Sequence, residues 1–285
     1  MALITLNEIL PAARKGRYAV PSFNVVTLDM VDAVIRVAQN LRSPIILVLA
    51  ERHIGKVNPW LISGAVLKGV ERVDIPVAFH LDHATSLESV RMGIDLGCTS
   101  IMIDGSHLSF EDNIELTHEV TTYAHSKRVS VEAELGAIGG IEGEIAGGED
   151  SGLYTDPEMA RVFVRRTGVD ALAVAIGTVH GLYRSKPRLK FDLLEEIAQK
   201  TDACLVLHGG SGLANLDIQR LIAGGITKIN VFTEMSIRSV ERIQRNLSQH
   251  KMPVGITDAL DGVTEELCAV TSDLISICGS AGQTQ

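Results

Sequence analysis

Three histidines have the surroundings of a metal centre: His83 in HLDHA, His180 in IGTVHGLY and His208 in LVLHGGSG. Each stands at or just past the end of a short apolar run, and a small residue follows it within two positions. Three imidazoles brought to one point bind Zn²⁺ and leave a coordination position open for a substrate. Asp82, beside the first of them, is placed to move a proton. The combination points to metal-dependent lysis or hydrolysis.

Such residues must be gathered by the fold. Eight short runs rich in β-branched residues read as strands: YAVPSFNV from Tyr18, PIILVLA from Pro44, IPVAFHL from Ile75, TSIMID from Thr99, VSVEAEL from Val129, DALAVAIG from Asp170, ACLVLHG from Ala203 and ITKINV from Ile226. Amphipathic stretches lie between them. Leu28, Val31, Ile35 and Ala38 share one helical face, opposite Asp29, Asp32, Arg36 and Gln39. Eight β/α units without a break in composition predict a (β/α)₈ TIM barrel, one α/β domain over residues 1–285. Polar residues recur at every strand end: Asn24, then Glu51, Arg52 and His53, then Asp82 and His83, Asp104, Glu134, His180, His208 and Asn230. In a barrel those ends meet on one face, whereas a doubly wound open sheet leaves the recurrence unexplained. Seven glycines in about 136–152, together with Glu142, Glu144, Glu149 and Asp150, predict a mobile active-site loop.

The 285 residues are 46% hydrophobic and 21% charged, enough apolar material for one large core. The net charge of −9 argues against nucleic acid or an anionic membrane as a partner, because both call for a basic face. An anionic small molecule must therefore be held by local donors, such as backbone N–H groups at the glycines after strand seven and in the segment after strand eight. The four widely spaced cysteines form no CxxC pair and read as reduced thiols, and no signal-like or membrane-length apolar run is present. A cytoplasmic protein is the expectation.

Seven segments in order, YAVPSFN, HLDHA, SIMIDGSH, VSVEAELGAIGG, LAVAIGTVHGLY, LVLHGGSGL and KINVFTE, give the chain a resemblance to the class II, zinc-dependent fructose- and tagatose-bisphosphate aldolases over nearly its whole length. The resemblance implies His83, His180 and His208 as zinc ligands. It implies Asp82 as the group exchanging a proton with the C4 hydroxyl of a ketose, and Glu142 as a second acid or base. Asp104 and Glu134 match carboxylates near the metal that form a secondary cation site. Asn24, Gly181, Gly209, Gly210, Ser211, Asn230, Val231, Phe232 and Thr233 are implied to hold substrate, the last eight around the 1-phosphate of dihydroxyacetone phosphate. The family also allows a monovalent cation near that phosphate. A homodimer or homotetramer acting on a small sugar phosphate is the implied assembly.

The sequence departs from the family at the aldehyde half. Where fructose-bisphosphate aldolases end strand two in serine and glycines, this chain has Glu51-Arg52-His53, and it lacks the Asp-Pro-Arg segment many members carry before the last helix. Arg184 stands where some members have a phosphate-contacting lysine. Arg52, His53 and Arg184 are therefore expected to meet the substrate, with Arg52 and His53 on an anionic group such as the sulfonate of 6-deoxy-6-sulfofructose 1-phosphate; an ion pair with Glu51 is the bland alternative. Other readings are an aldolase of inositol catabolism acting on a deoxy-ketogluconate phosphate, a Schiff-base aldolase using Lys228, a zinc hydrolase, and a non-catalytic zinc-binding subunit. His80 is expected to point away from His83 by strand alternation, and His107 to be a local loop residue.

Overall fold

The structure is a computed structural model and describes residues 3–140, 153–183, 185–249 and 253–284. Eight parallel strands close into a barrel in sequence order: β1 (Val20–Asn24), β2 (Ile45–Ala50), β3 (Val77–Ala84), β4 (Ser100–Ile103), β5 (Ser130–Leu135), β6 (Ala171–Val174), β7 (Cys204–Leu207) and β8 (Ile226–Val231). The helices are α1 (Leu6–Gly16), α2 (Leu28–Asn40), α3 (Pro59–Val70), α4 (Leu87–Asp95), α5 (Phe110–Ser126), α6 (Pro157–Thr167), α7 (Phe191–Lys200), α8 (Asn215–Ala223), α9 (Thr233–Gln249), α10 (Ile256–Leu260) and α11 (Val263–Ile277). All eight expected strands form, and the fold is the expected single-domain TIM barrel.

Helix starts follow the local chemistry. The side chains of Thr27, Asn58, Ser86, Ser109 and Asp156 accept from backbone N–H groups in the first turns of α2, α3, α4, α5 and α6. Such caps satisfy donors the helix leaves unpaired. The outward strand residues, Ile45, Leu47, Leu49, Phe79 and Leu81 among them, join the surrounding helices in the larger apolar core.

A second apolar cluster fills the barrel interior from below. Leu6, Ile9, Leu10 and Ala13 of α1 pack on Val20, Ile46, Val48, Ala78, Met102 and Val206. The segment is tied down by Ile4 N donating to Val77 O (2.9 Å) and Leu6 N donating to Ser130 Oγ (2.9 Å). The bottom of the barrel is thus closed by a helix, and the polar residues sit above this plug, toward the strand C-terminal ends. Cys98, Cys204 and Cys278 are buried free thiols, and among the described residues no helix is long and apolar enough to cross a membrane.

Candidate active site

Asp82 and His83 are adjacent on β3, so regular alternation would send them to opposite faces. The backbone breaks that rule. His83 has φ +52°, and the β3–β4 register shifts between Leu81 and Ala84. This bulge turns both side chains to the barrel mouth. His80 projects into the interior, as alternation with Asp82 requires; its Nδ1 lies 2.8 Å from Ser100 Oγ and its Nε2 3.4 Å from Asp82 Oδ1. Two neighbouring polar residues that both need the same face are the sequence signature of such a bulge.

The three expected metal-binding histidines come together. His83 Nε2 lies 3.0 Å from His208 Nδ1, and His180 Nε2 lies 3.5 Å from the same atom. The rings stand nearly edge-on to one another, with interplanar angles of 79°, 78° and 70°. His180 is placed by its own N–H, which donates to Gly139 O (2.8 Å). Carboxylates orient the other two: Asp104 Oδ2 meets His83 Nδ1 at 2.8 Å, and Glu132 Oε1 meets His208 Nε2 at 2.9 Å. Carboxylate-backed imidazoles that leave one nitrogen each for a common point are the donor set of a catalytic zinc site, so the residues present fit Zn²⁺.

The electrostatics call for a cation at the same place. Burial alone would lower the pKa of His83, but Asp82, Asp104 and Glu134 outweigh it and raise it to about 10. A divalent cation at its Nε2 would supply that positive charge instead. Burial, and then the neighbouring Asp104 carboxylate, push Glu134 up to about 8. Asp104 is held low against the cost of burial by His83 and by Ser106, whose N and Oγ both donate to Asp104 Oδ1. His83, Asp104 and Glu134 themselves form a second group of possible metal ligands, where a secondary cation was expected.

Asp82 is fully buried and accepts from Asn230 Nδ2 at 3.0 Å. Burial opposes its ionisation, yet the charge of His83 and the hydrogen bond from His80 keep it well below the usual carboxylate range. Its Oδ2 lies 3.9 Å from His83 Nε2, so the carboxylate stands beside the imidazole trio where a proton can be exchanged.

Glycines after β6 and β7 shape the expected phosphate cradle. Gly181 and Gly209 have φ +79° and +67°. A Cβ on Gly209 would sit 2.2 Å from Val179 O, a contact no side chain survives without moving the backbone. Tyr183, which the sequence reading passed over, ties the two loops: its hydroxyl donates to Gly209 O (2.7 Å) and accepts from Val179 N (3.3 Å). Gly210 packs beneath Ile229, and Asn230, Val231, Phe232 and Thr233 run from the end of β8 into α9. Gly209→Ala should therefore lower the thermal unfolding midpoint, with left-handed strain costing about 1–3 kcal/mol before the clash is counted. It should also raise KM for a phosphorylated substrate more than Tyr183→Phe does. A Gly209→Ala variant with unchanged melting and kinetics would contradict the close approach of the two loops.

A cavity of about 500 Å³ opens over this centre, lined by Arg52, His83, Asp104, His107, Glu134 and His180 among others. A larger one, about 740 Å³, lies against α9 and α11; Ser211, expected to hold phosphate, lines it, but none of the three imidazoles does, so the metal chemistry belongs to the smaller cavity. Arg52 reaches that cavity as expected. His53 does not line it: its ring is buried 4.8 Å from that of Phe232 and supports the wall instead. His107, expected to be only local, lines it. Glu51 accepts from Thr85 N (2.8 Å) and from Ser89 Oγ, so it holds the turn after β3. Asn24 ends β1 opposite Val48 of β2, and both of its amide atoms are buried with no hydrogen-bond partner among the described residues. Glu142 and Arg184 lie outside the described residues.

Sequence reading also overlooked Glu132, and it weighed Lys228 only as an imine former. Lys228 is sealed in the barrel with its Nζ 2.8 Å from Glu132 Oε2, an ion pair that removes the one strand lysine a Schiff-base mechanism could use.

Known proteins share this arrangement of chain and fold. The sequence profile of the fructose-bisphosphate aldolase class-II family matches residues 4–283. The solved structure of the YdjI aldolase from Escherichia coli K12 is 32% identical, covers 99% of this chain and 100% of its own, and superposes with a TM-score of 0.89. A putative fructose-1,6-bisphosphate aldolase from Coccidioides immitis is 29% identical over 97% of this chain and 96% of its own, with a TM-score of 0.86. Fructose-bisphosphate aldolase from Campylobacter jejuni, at 23% identity over 99% and 97% with a TM-score of 0.80, shares the fold.

Proposed function

Because this chain belongs to the class II fructose-bisphosphate aldolase family and is thereby a lyase of the aldolase kind, we propose that it is a zinc-dependent enzyme reversibly cleaving a ketose 1-phosphate to dihydroxyacetone phosphate and an aldehyde. The observation that carries the reading is the meeting of three imidazole nitrogens with the Asp82 carboxylate beside them at the mouth of the barrel.

His83 Nε2, His180 Nε2 and His208 Nδ1 would hold the zinc. When bound, Zn²⁺ supplies Lewis-acid stabilisation of the negative charge that develops on the ketone oxygen. The protein's own residues do the rest. Backbone N–H groups around Gly181, Gly209, Gly210 and Ser211, with the start of α9, anchor the 1-phosphate in spite of the acidic net charge. Asp82 takes the proton of the C4 hydroxyl as the C3–C4 bond breaks and the C4 oxygen becomes a carbonyl. Asn230 steadies that carboxylate by donating to Oδ2. Glu142, from the glycine-rich segment, is assigned the proton transfer at C3. Asp104 and Glu134 orient His83 and hold a secondary cation.

Arg52 and His107 line the cavity over the three imidazoles, which supports a substrate with an anionic group distal to the cleaved bond, such as a C6 phosphate or sulfonate. A retro-aldol assay with a panel of ketose 1-phosphates differing at C4 and C6 tests the proposal; no cleavage of any member by zinc-loaded protein would refute it. Within that panel, Arg52→Ala should lower kcat/KM for a C6-anionic ketose by about tenfold to a hundredfold, the worth of one charge-assisted hydrogen bond. It should leave a C6-uncharged ketose 1-phosphate nearly unaffected. Equal losses on both substrates would make Arg52 a structural residue.

A further inference from the structure

We propose that Glu132 and Lys228 form a buried positioning pair that fixes which nitrogen of His208 faces the metal, and so governs how tightly the barrel holds that metal. The inference rests on the reading of His208 as a metal ligand. Glu132 lies on β5 two residues before Glu134, and Lys228 lies on β8 two residues before Asn230. Both therefore enter the lumen one layer beneath the mouth. The chain of contacts is continuous: Lys228 Nζ to Glu132 Oε2 at 2.8 Å, then Glu132 Oε1 to His208 Nε2 at 2.9 Å, with all three side chains fully buried.

An ionised carboxylate only accepts hydrogen bonds. His208 Nε2 must then carry the proton, and its Nδ1 keeps the lone pair. Nδ1 is the atom that meets Nε2 of His83 and Nε2 of His180. One ring of the trio thus ligates through the opposite nitrogen from the other two. Asn230 Nδ2, 3.4 Å from His208 Nε2, is a donor facing a donor there, and it serves Asp82 instead. A half-turn of the His208 ring would replace its N–H on Glu132 by a carbon, so Glu132 removes the freedom to present the wrong edge.

Lys228 explains how a carboxylate can do this in a sealed layer. An isolated buried carboxylate is costly unless paired. The ammonium supplies that partner from below, leaving Oε1 for the imidazole. It has a second effect. His80, Asp82 and Glu132 form another group whose ligand-type atoms lie within 4.8 Å of one another, all buried. Lys228 already provides positive charge at its Glu132 corner, which directs the metal to the imidazoles above.

The test compares zinc dissociation constants, measured by competition with a chromogenic chelator, for the wild-type chain, E132L/K228M and E132Q/K228M. Both variants remove the two charges at similar volume, and only the glutamine keeps an oxygen for His208. Loss of such a partner costs about 10–100-fold in metal affinity, and that weakening is expected for E132L/K228M, with E132Q/K228M close to wild type. Wild-type affinity in E132L/K228M, or equal weakening in both variants, would overturn the proposal. Long-range ¹H–¹⁵N spectra of the zinc-loaded wild type give a second measurement that needs no variant to fold. They should show His208 protonated at Nε2 and metal-bound at Nδ1, and a His208 bound through Nε2 refutes the pair's role. A wild-type chain that takes up no zinc would instead bring down the metal-centre reading, a result distinct from a loss confined to the leucine variant.

Discussion

Replacing Asp82 with asparagine is expected to leave the protein folded and able to bind zinc while lowering kcat for C–C cleavage by about 10²–10⁴-fold, the usual contribution of a positioned acid or base. The substitution is nearly isosteric, so the fully buried site keeps its volume. Asn230 can still donate to the remaining carbonyl oxygen at the Oδ2 position. What disappears is the ionised oxygen that would take the C4 proton. The separation to be measured is zinc content against turnover: stoichiometric metal with lost cleavage supports the assignment, and a fully active Asp82→Asn enzyme would remove Asp82 from the reaction. Glu142→Gln should behave differently, slowing solvent deuterium exchange into dihydroxyacetone phosphate.

Chelation is expected to abolish cleavage, and added Zn²⁺ or Co²⁺ to restore it. Lys228, the strand lysine that could take the developing charge through an imine, is paired with Glu132 and sealed from the cavity. Borohydride added with substrate should accordingly trap no covalent adduct. His83→Ala, His180→Ala and His208→Ala should each lose metal, because each removes one of the three converging nitrogens. Full activity in thoroughly metal-free protein would refute the zinc assignment.

The barrel and the three histidines were legible in the sequence because strand alternation, short connections and polar strand ends all carry local signals. Asp82, Asp104 and Glu134 were legible for the same reason. What escaped lay across the barrel. Glu132 looks like one more residue in VSVEAEL, and only the register of β5 beside β6 and β7 shows that it supports His208. Lys228 reads as a candidate nucleophile until its partner from β5 is seen. Tyr183 gains its role from a carbonyl 26 residues away. His53 stands in the short 3₁₀ turn at Glu51–His53 and packs against Phe232, while His107 lines the cavity, and neither placement follows from strand alternation.

The bulge at His83 has a consequence for how this centre can move. Asp82 and His83 share a peptide link, so the distance from proton acceptor to metal ligand is set by covalent geometry and one left-handed residue. The phosphate loops follow β6, β7 and β8, and the first two also carry metal ligands, His180 beside Gly181 and His208 beside Gly209. The phosphate anchor is therefore tied to the metal by peptide links as short as the one that ties the proton acceptor to it. Phosphate anchor, metal and proton acceptor then behave as a single rigid unit, and substrates of different length would be accommodated only at the distal end, around Arg52.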